Sequence, residues 1–166
     1  MKLIKVFVLS LCFLSSYATA ATVTYPGSSL SINVPAGFAR QMVSNGGGNT
    51  LTLVDQNSGL AVIMMVGPIS AQEQNYSLER TSRTALAALQ SGGSNVKVLR
   101  QGSLTLNKQT WFEMQSTADT VRGNLYYYGL SSSRNRKMAL VIIACASESV
   151  QPNRKLIADI VGSIKF

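Results

Sequence analysis

Polar and apolar positions alternate along most of this chain, and in two places the alternation gives way to helical spacing. In SLSINVP, Ser29 to Pro35, the residues Leu30, Ile32 and Val34 share one parity and Pro35-Ala36-Gly37 closes the run, which predicts a half-buried strand ended by a turn. Phe38 to Ser44 and Thr50 to Asp55 are two further extended runs around SNGGGN, so Gly46 to Gly48 predict a hairpin tip. The turn Asp55-Gln56-Asn57-Ser58-Gly59 leads into an apolar strand, Leu60 to Gly67. From Tyr76 the period changes: Leu78, Ala85, Leu86 and Leu89 fall on one helical face and Gly92-Gly93 supplies a stop. Asn95 to Gly102 alternates again. LTLNKQTWFEMQS, Leu104 to Ser116, reads as two extended arms around Asn107-Lys108, and Leu125 to Leu130 and Met138 to Ala146 add two more strands.

The last of these strands bears on the architecture. Met138, Leu140, Ile142 and Ala144 point to one side and Ala139, Val141, Ile143 and Cys145 to the other, so both faces of the strand must be covered. A second helix is predicted in QPNRKLIADIVGSIKF, where Leu156, Ile157, Ile160, Val161 and Ile164 form an apolar stripe and Pro152 suits the first turn. Strands, helix, strands, helix, with tight hairpins between strands, predict an α+β fold: a mostly antiparallel β-sheet with helices packed on both faces, an α/β/α sandwich.

SLSINVPAGF, LTLNKQTWFEM, NLYYYG and the closing ADIVGSIKF together resemble the PsbP-like and DcrB-like group of exported α/β/α sandwich domains. The resemblance spans nearly the whole chain after its first twenty residues, and it implies a fold more than a function. The group includes accessory subunits and envelope lipoproteins, so an accessory role is implied. It implies no catalytic residues, and this chain departs from its DcrB-like members in lacking a lipidated cysteine.

The ends refine this picture. MKLIKVFVLSLCFLSSYATA has Lys2 and Lys5 ahead of an apolar run from Val6 to Leu14, then Ala18 and Ala20, the layout of a cleaved signal peptide over residues 1–20. That predicts one domain over residues 21–166, in a periplasmic or secreted location, with no transmembrane anchor after cleavage because the run is too short to span a bilayer. Cys12 follows Leu11, a poor context for lipid attachment. Removal of Lys2 and Lys5 takes the 15 basic residues to 13 against 7 acidic ones, so the net charge falls from +8 to +6. This is a diffuse field rather than a polybasic arm.

Candidate chemistry is sparse. The chain has no histidine, which removes Ser-His-acid and Cys-His catalysis and the usual catalytic zinc sets. Cys145, the one cysteine outside the leader, sits in VIIACA and reads as a small buried hydrophobe. Gly46 to Gly48 are followed by strand-like TLTLVD rather than a helix, so no phosphate-cradling loop and no cofactor are expected. DQNSG offers one carboxylate, too few for a calcium loop, and no metal site is expected. Glu113 and Asp119, the nearest approach to a carboxylate pair, are expected to face solvent.

What remains is LYYYGLSSSRNRK. Arg134, Arg136 and Lys137 are expected on a turn from Ser131 to Lys137, and Tyr126 and Tyr128 share a face of the preceding strand. Those five residues are the candidate binding site, able to meet phosphates while rings stack on bases if that face is open. The expected function is an exported, non-catalytic accessory or chaperone-like domain that binds a protein or envelope component. The alternatives are a polyanion-binding module using the basic tip and a carboxylate-dependent hydrolase.

Overall fold

The structure, a computed structural model, describes residues 20–45, 48–69, 80, 83, 84, 87 and 93–166. In chain order its elements are β1 (Ala21–Thr24), β2 (Ser31–Val34), β3 (Ala39–Asn45), β4 (Gly48–Asp55), β5 (Leu60–Pro68), β6 (Ser94–Leu106), β7 (Gln109–Thr120), β8 (Gly123–Arg134), β9 (Lys137–Ala146), a 3-10 turn (Ser147–Ser149) and α1 (Arg154–Ser163). The expected signal peptide lies outside the described residues except for Ala20, as does almost all of the helix expected from Tyr76 to Gly93. No helix among the described residues is long and apolar enough to cross a membrane.

Seven strands form one antiparallel sheet in the order β3-β4-β5-β9-β8-β7-β6. Two meanders of hairpin-linked strands, β3 to β5 and β6 to β9, join where β5 pairs with β9, for instance Ile63 with Ile142. The strand that is apolar on both parities therefore lies at the centre of the sheet. One of its faces carries Val141, Ile143 and Cys145 with Leu51, Leu53, Val62, Met64, Trp111 and Leu130, all buried. The other carries Leu140 and Ile142 with Met114, Ala118 and Tyr127.

The expectation of helices on both faces is overturned. Among the described residues the fold is mostly antiparallel sheet, and α1, the one helix described from end to end, lies on one face. A strand apolar on both sides requires both faces to be covered, and it does not require that helices do the covering. Here α1 shares its face with a second β layer, the β1–β2 hairpin, whose Leu30, Ile32 and Val34 are buried alongside Ile157, Ile160 and Ile164. A full burial of one such aliphatic side chain stabilises by about 1.5–3 kcal/mol. The layers are stitched where Lys165 and Ser31 exchange backbone hydrogen bonds of 2.9 Å. Pro152 lies two residues ahead of α1, in the turn before it, rather than in its first turn.

Candidate functional site

The β8–β9 connection is tighter than the sequence suggests. Arg134 pairs directly with Lys137, which leaves only Asn135 and Arg136 to turn, at φ 50° and 57°. Two successive residues in the left-handed region make the turn that matches strand twist in a two-residue hairpin. Ser131 and Ser132, expected in the turn, lie in β8 and are fully buried. The Ser132 hydroxyl donates to the Thr110 carbonyl at 2.6 Å.

Around this turn the chain is drawn together from four directions. Arg134 Nη1 donates to the Phe166 carbonyl at 3.0 Å, and Lys137 Nζ donates to the Gly27 carbonyl at 3.3 Å. The Arg136 carbonyl accepts from the Ile69 N–H at 2.8 Å. In the neighbouring β6–β7 turn, Asn107 and Lys108 adopt φ 48° and 66°. Asn107 Nδ2 donates to the Ile164 and Gly162 carbonyls at 2.7 and 3.2 Å, satisfying acceptors at the end of α1. Lys108 and Lys165, exposed, thereby join Arg134, Arg136 and Lys137 at one end of the molecule. Sequence reasoning missed these two because only strand register shows that alternate hairpins turn at the same end, and only long-range bonds bring the segment after α1 to those turns.

The tyrosines belong elsewhere. Tyr126 is 6% exposed and donates to Gln115 Oε1 at 3.0 Å, and Tyr128 donates to Glu113 Oε2 at 2.7 Å. Their rings pack against the core beneath α1 and β2, and Tyr128 lies six residues, about 20 Å of strand, from Arg134. The structure brings the cations together and leaves the rings apart from them. Burial pushes the Tyr126 hydroxyl up to about 12, with the charges of Cys145 and Glu113 adding to it. Burial raises Tyr128 as well, helped by its hydrogen bond to Glu113.

Glu113, expected in solvent, is 3% exposed. It shares the parity of Trp111 on β7 and so faces the core, where Tyr128 and the Arg100 guanidinium, 2.5 Å away, complete its bonding. The other carboxylates serve turns. Hydrogen bonding from the Ser58 hydroxyl, at 2.6 Å, holds Asp55 below its ordinary value despite some opposing burial. Bonds from Asn124 and then Asn95 do the same for Asp119. Among the described residues no three of Cys, Asp and Glu cluster as a metal site. Cys145 is buried in the core, and burial raises its thiol.

A second surface lies on the outer strand β6, the edge of the sheet. Val96, Val98 and Leu99 are 50%, 48% and 58% exposed there, and Val121 in the β7–β8 turn is 99% exposed. Two irregularities in the pairing of β6 with β7, between Ser94 and Lys97 and between Val98 and Arg100, place extra residues in this stretch.

This arrangement of hairpin, helix and seven-stranded sheet is the fold of the PsbP-like and DcrB-like group. The chain is similar to the cyanobacterial PsbP, CyanoP, of Synechocystis, at 8% identity and a TM-score of 0.71 over 95% of this chain and 98% of that one. It is also similar to PA94, a protein of unknown function from Pseudomonas aeruginosa, at 5% identity and a TM-score of 0.53 over 89% and 96% of the two chains. LpqN of Mycobacterium tuberculosis, described as involved in cell envelope biogenesis, matches at 8% identity and 0.53 over 86% and 87%. No family model and no curated protein matches the sequence.

Proposed function

We propose that this protein is an exported, non-catalytic accessory domain that acts by binding a protein of the cell envelope. The observation that carries the reading is the exposed aliphatic stretch of the edge strand, Val96, Val98 and Leu99 with Val121 beside it. Apolar side chains exposed on a sheet edge that is unpaired among the described residues favour strand or surface addition by a partner. Lys97, Arg100 and Arg122 flank the patch, so the partner is acidic around an apolar centre. The predicted leader and the similarity to a fold found in an envelope-biogenesis protein support the location. A hydrolase reading gains no support, because among the described residues the one buried carboxylate, Glu113, has both oxygens engaged inside the fold.

The test is capture from envelope fractions with the folded protein and with a Val98→Asp/Leu99→Asp variant as parallel baits. A partner enriched by the first and lost by the second is expected. Enrichment that ignores the substitutions overturns the edge-strand reading.

A further inference from the structure

The five cations at the β8–β9 end are a single electrostatic surface, although they come from three separate stretches of sequence. Lys108 belongs to the β6–β7 turn, Arg134, Arg136 and Lys137 to the β8–β9 turn, and Lys165 to the segment after α1. Direct bonds tie these pieces together: Asn107 to Ile164, Arg134 to Phe166, and Lys165 to Ser31. Lys108, Arg136 and Lys165 are exposed. Lys137 donates to the neutral Gly27 carbonyl, which leaves its positive charge uncompensated.

The carboxylates are distributed the other way. Asp55, Asp119 and Glu148 lie at the opposite ends of their strands, next to the β4–β5 turn, the β7–β8 turn and the end of β9. Glu113 is buried mid-sheet, and Asp159 on α1 pairs with Lys155 at 2.6 Å. Glu73 and Glu79 lie outside the described residues. Among the described residues, then, the cationic end carries no Asp or Glu side chain.

We propose that this end docks on the anionic headgroups of a lipid bilayer. The choice of a membrane over a nucleic acid rests on two observations. The aromatic rings that would stack on bases are turned into the core about 20 Å away along β8, so only phosphate contact is on offer. The cations project from adjacent turn tips at the ends of antiparallel strands and not along a groove that would track a strand. Several Lys and Arg side chains at one end of a rigid sheet meet many headgroups at once, and their attractions to an anionic leaflet add. The surface is separate from the β6 patch, so the protein can engage lipid and a protein partner together.

The test is co-sedimentation of the purified protein with vesicles of phosphatidylglycerol in phosphatidylcholine, and with phosphatidylcholine alone. Binding to the anionic vesicles is expected, falling as salt rises from about 0.05 to 0.5 M and the screening length shortens. Lys108→Asn, Arg136→Asn and Lys165→Gln should each weaken partitioning about five-fold, and together about a hundred-fold. Asn accepts the positive φ of both turn positions, so the turns survive. Lys155→Gln on α1 and Val98→Asp on β6 should leave vesicle binding unchanged, which keeps this result independent of the partner surface. Equal binding to neutral vesicles, or equal loss in the Lys155→Gln control, overturns the proposal. So does full displacement by inorganic phosphate at matched phosphate concentration, or tighter binding to DNA than to vesicles.

Discussion

At the scale of single residues, the buried bonding of Glu113 makes the sharpest stability prediction. Its carboxylate accepts from Tyr128 and pairs with Arg100, whose own side chain is 68% exposed. Glu113→Ala leaves the partly buried Tyr128 hydroxyl without its acceptor and should cost about 1–3 kcal/mol, whereas Arg100→Ala should cost no more than about 1 kcal/mol because that cation is solvated. Urea unfolding of the two variants separates these outcomes. The tyrosines set the response to alkali. A hydroxyl held at about 12 when folded and near its ordinary 10 when unfolded keeps its proton longer in the native state. The unfolded chain then binds fewer protons in that window, so stability is full below about pH 10 and falls between about pH 10 and 12. Unfolding free energy measured across this range, with tyrosinate absorbance alongside, tests the sign. The burial of Glu113 was partly legible, since it shares a parity with Trp111, but a carboxylate beside polar Gln115 and Thr117 also suits a solvent-facing row. Only the register placing Tyr128 near it decides.

At the scale of elements, hairpins and strands followed closely from alternation, because a two-residue turn and a period of two are local properties. Ile142 and Ile143 illustrate this: adjacent on β9, they point to opposite faces and both are fully buried. Ile142→Ala and Ile143→Ala should each cost about 2–5 kcal/mol in chemical denaturation, and a surface-like value for either would mean that its face is open. The β6–β7 turn carries a further expectation. Asn107→Ala loses two hydrogen bonds to the end of α1 and places Ala at φ 48°, for about 1–2 kcal/mol, while Asn107→Gly relieves the backbone and should cost less. What covers a two-faced sheet was not legible. Alternation in Leu30, Ile32 and Val34 marks a strand with one buried face, and it is silent on whether that strand extends the main sheet or lies across it with β1.

At the scale of the whole molecule, the sheet order decides which distant residues meet. It brings Lys108 to the tip that holds Arg134, Arg136 and Lys137, where the bonds of Asn107 and Arg134 draw in the segment of Lys165, and it turns Tyr126 and Tyr128 toward the core. It also sets β6 at the edge, where the pairing shifts register twice along the stretch that exposes Val96, Val98 and Leu99. None of these three outcomes is local, which is why the basic cluster was visible in sequence as three charges and the edge patch was not visible at all. On the function proposed above, the β6 edge is the face that meets a partner. A photo-crosslinking residue placed at position 98, in cells making the protein at its natural level, tests it most directly, with the same residue at position 159 on the exposed side of α1 as the reference. One discrete crosslinked species is expected from position 98 and none of that size from position 159. The same species from both positions, or from position 159 alone, would contradict it.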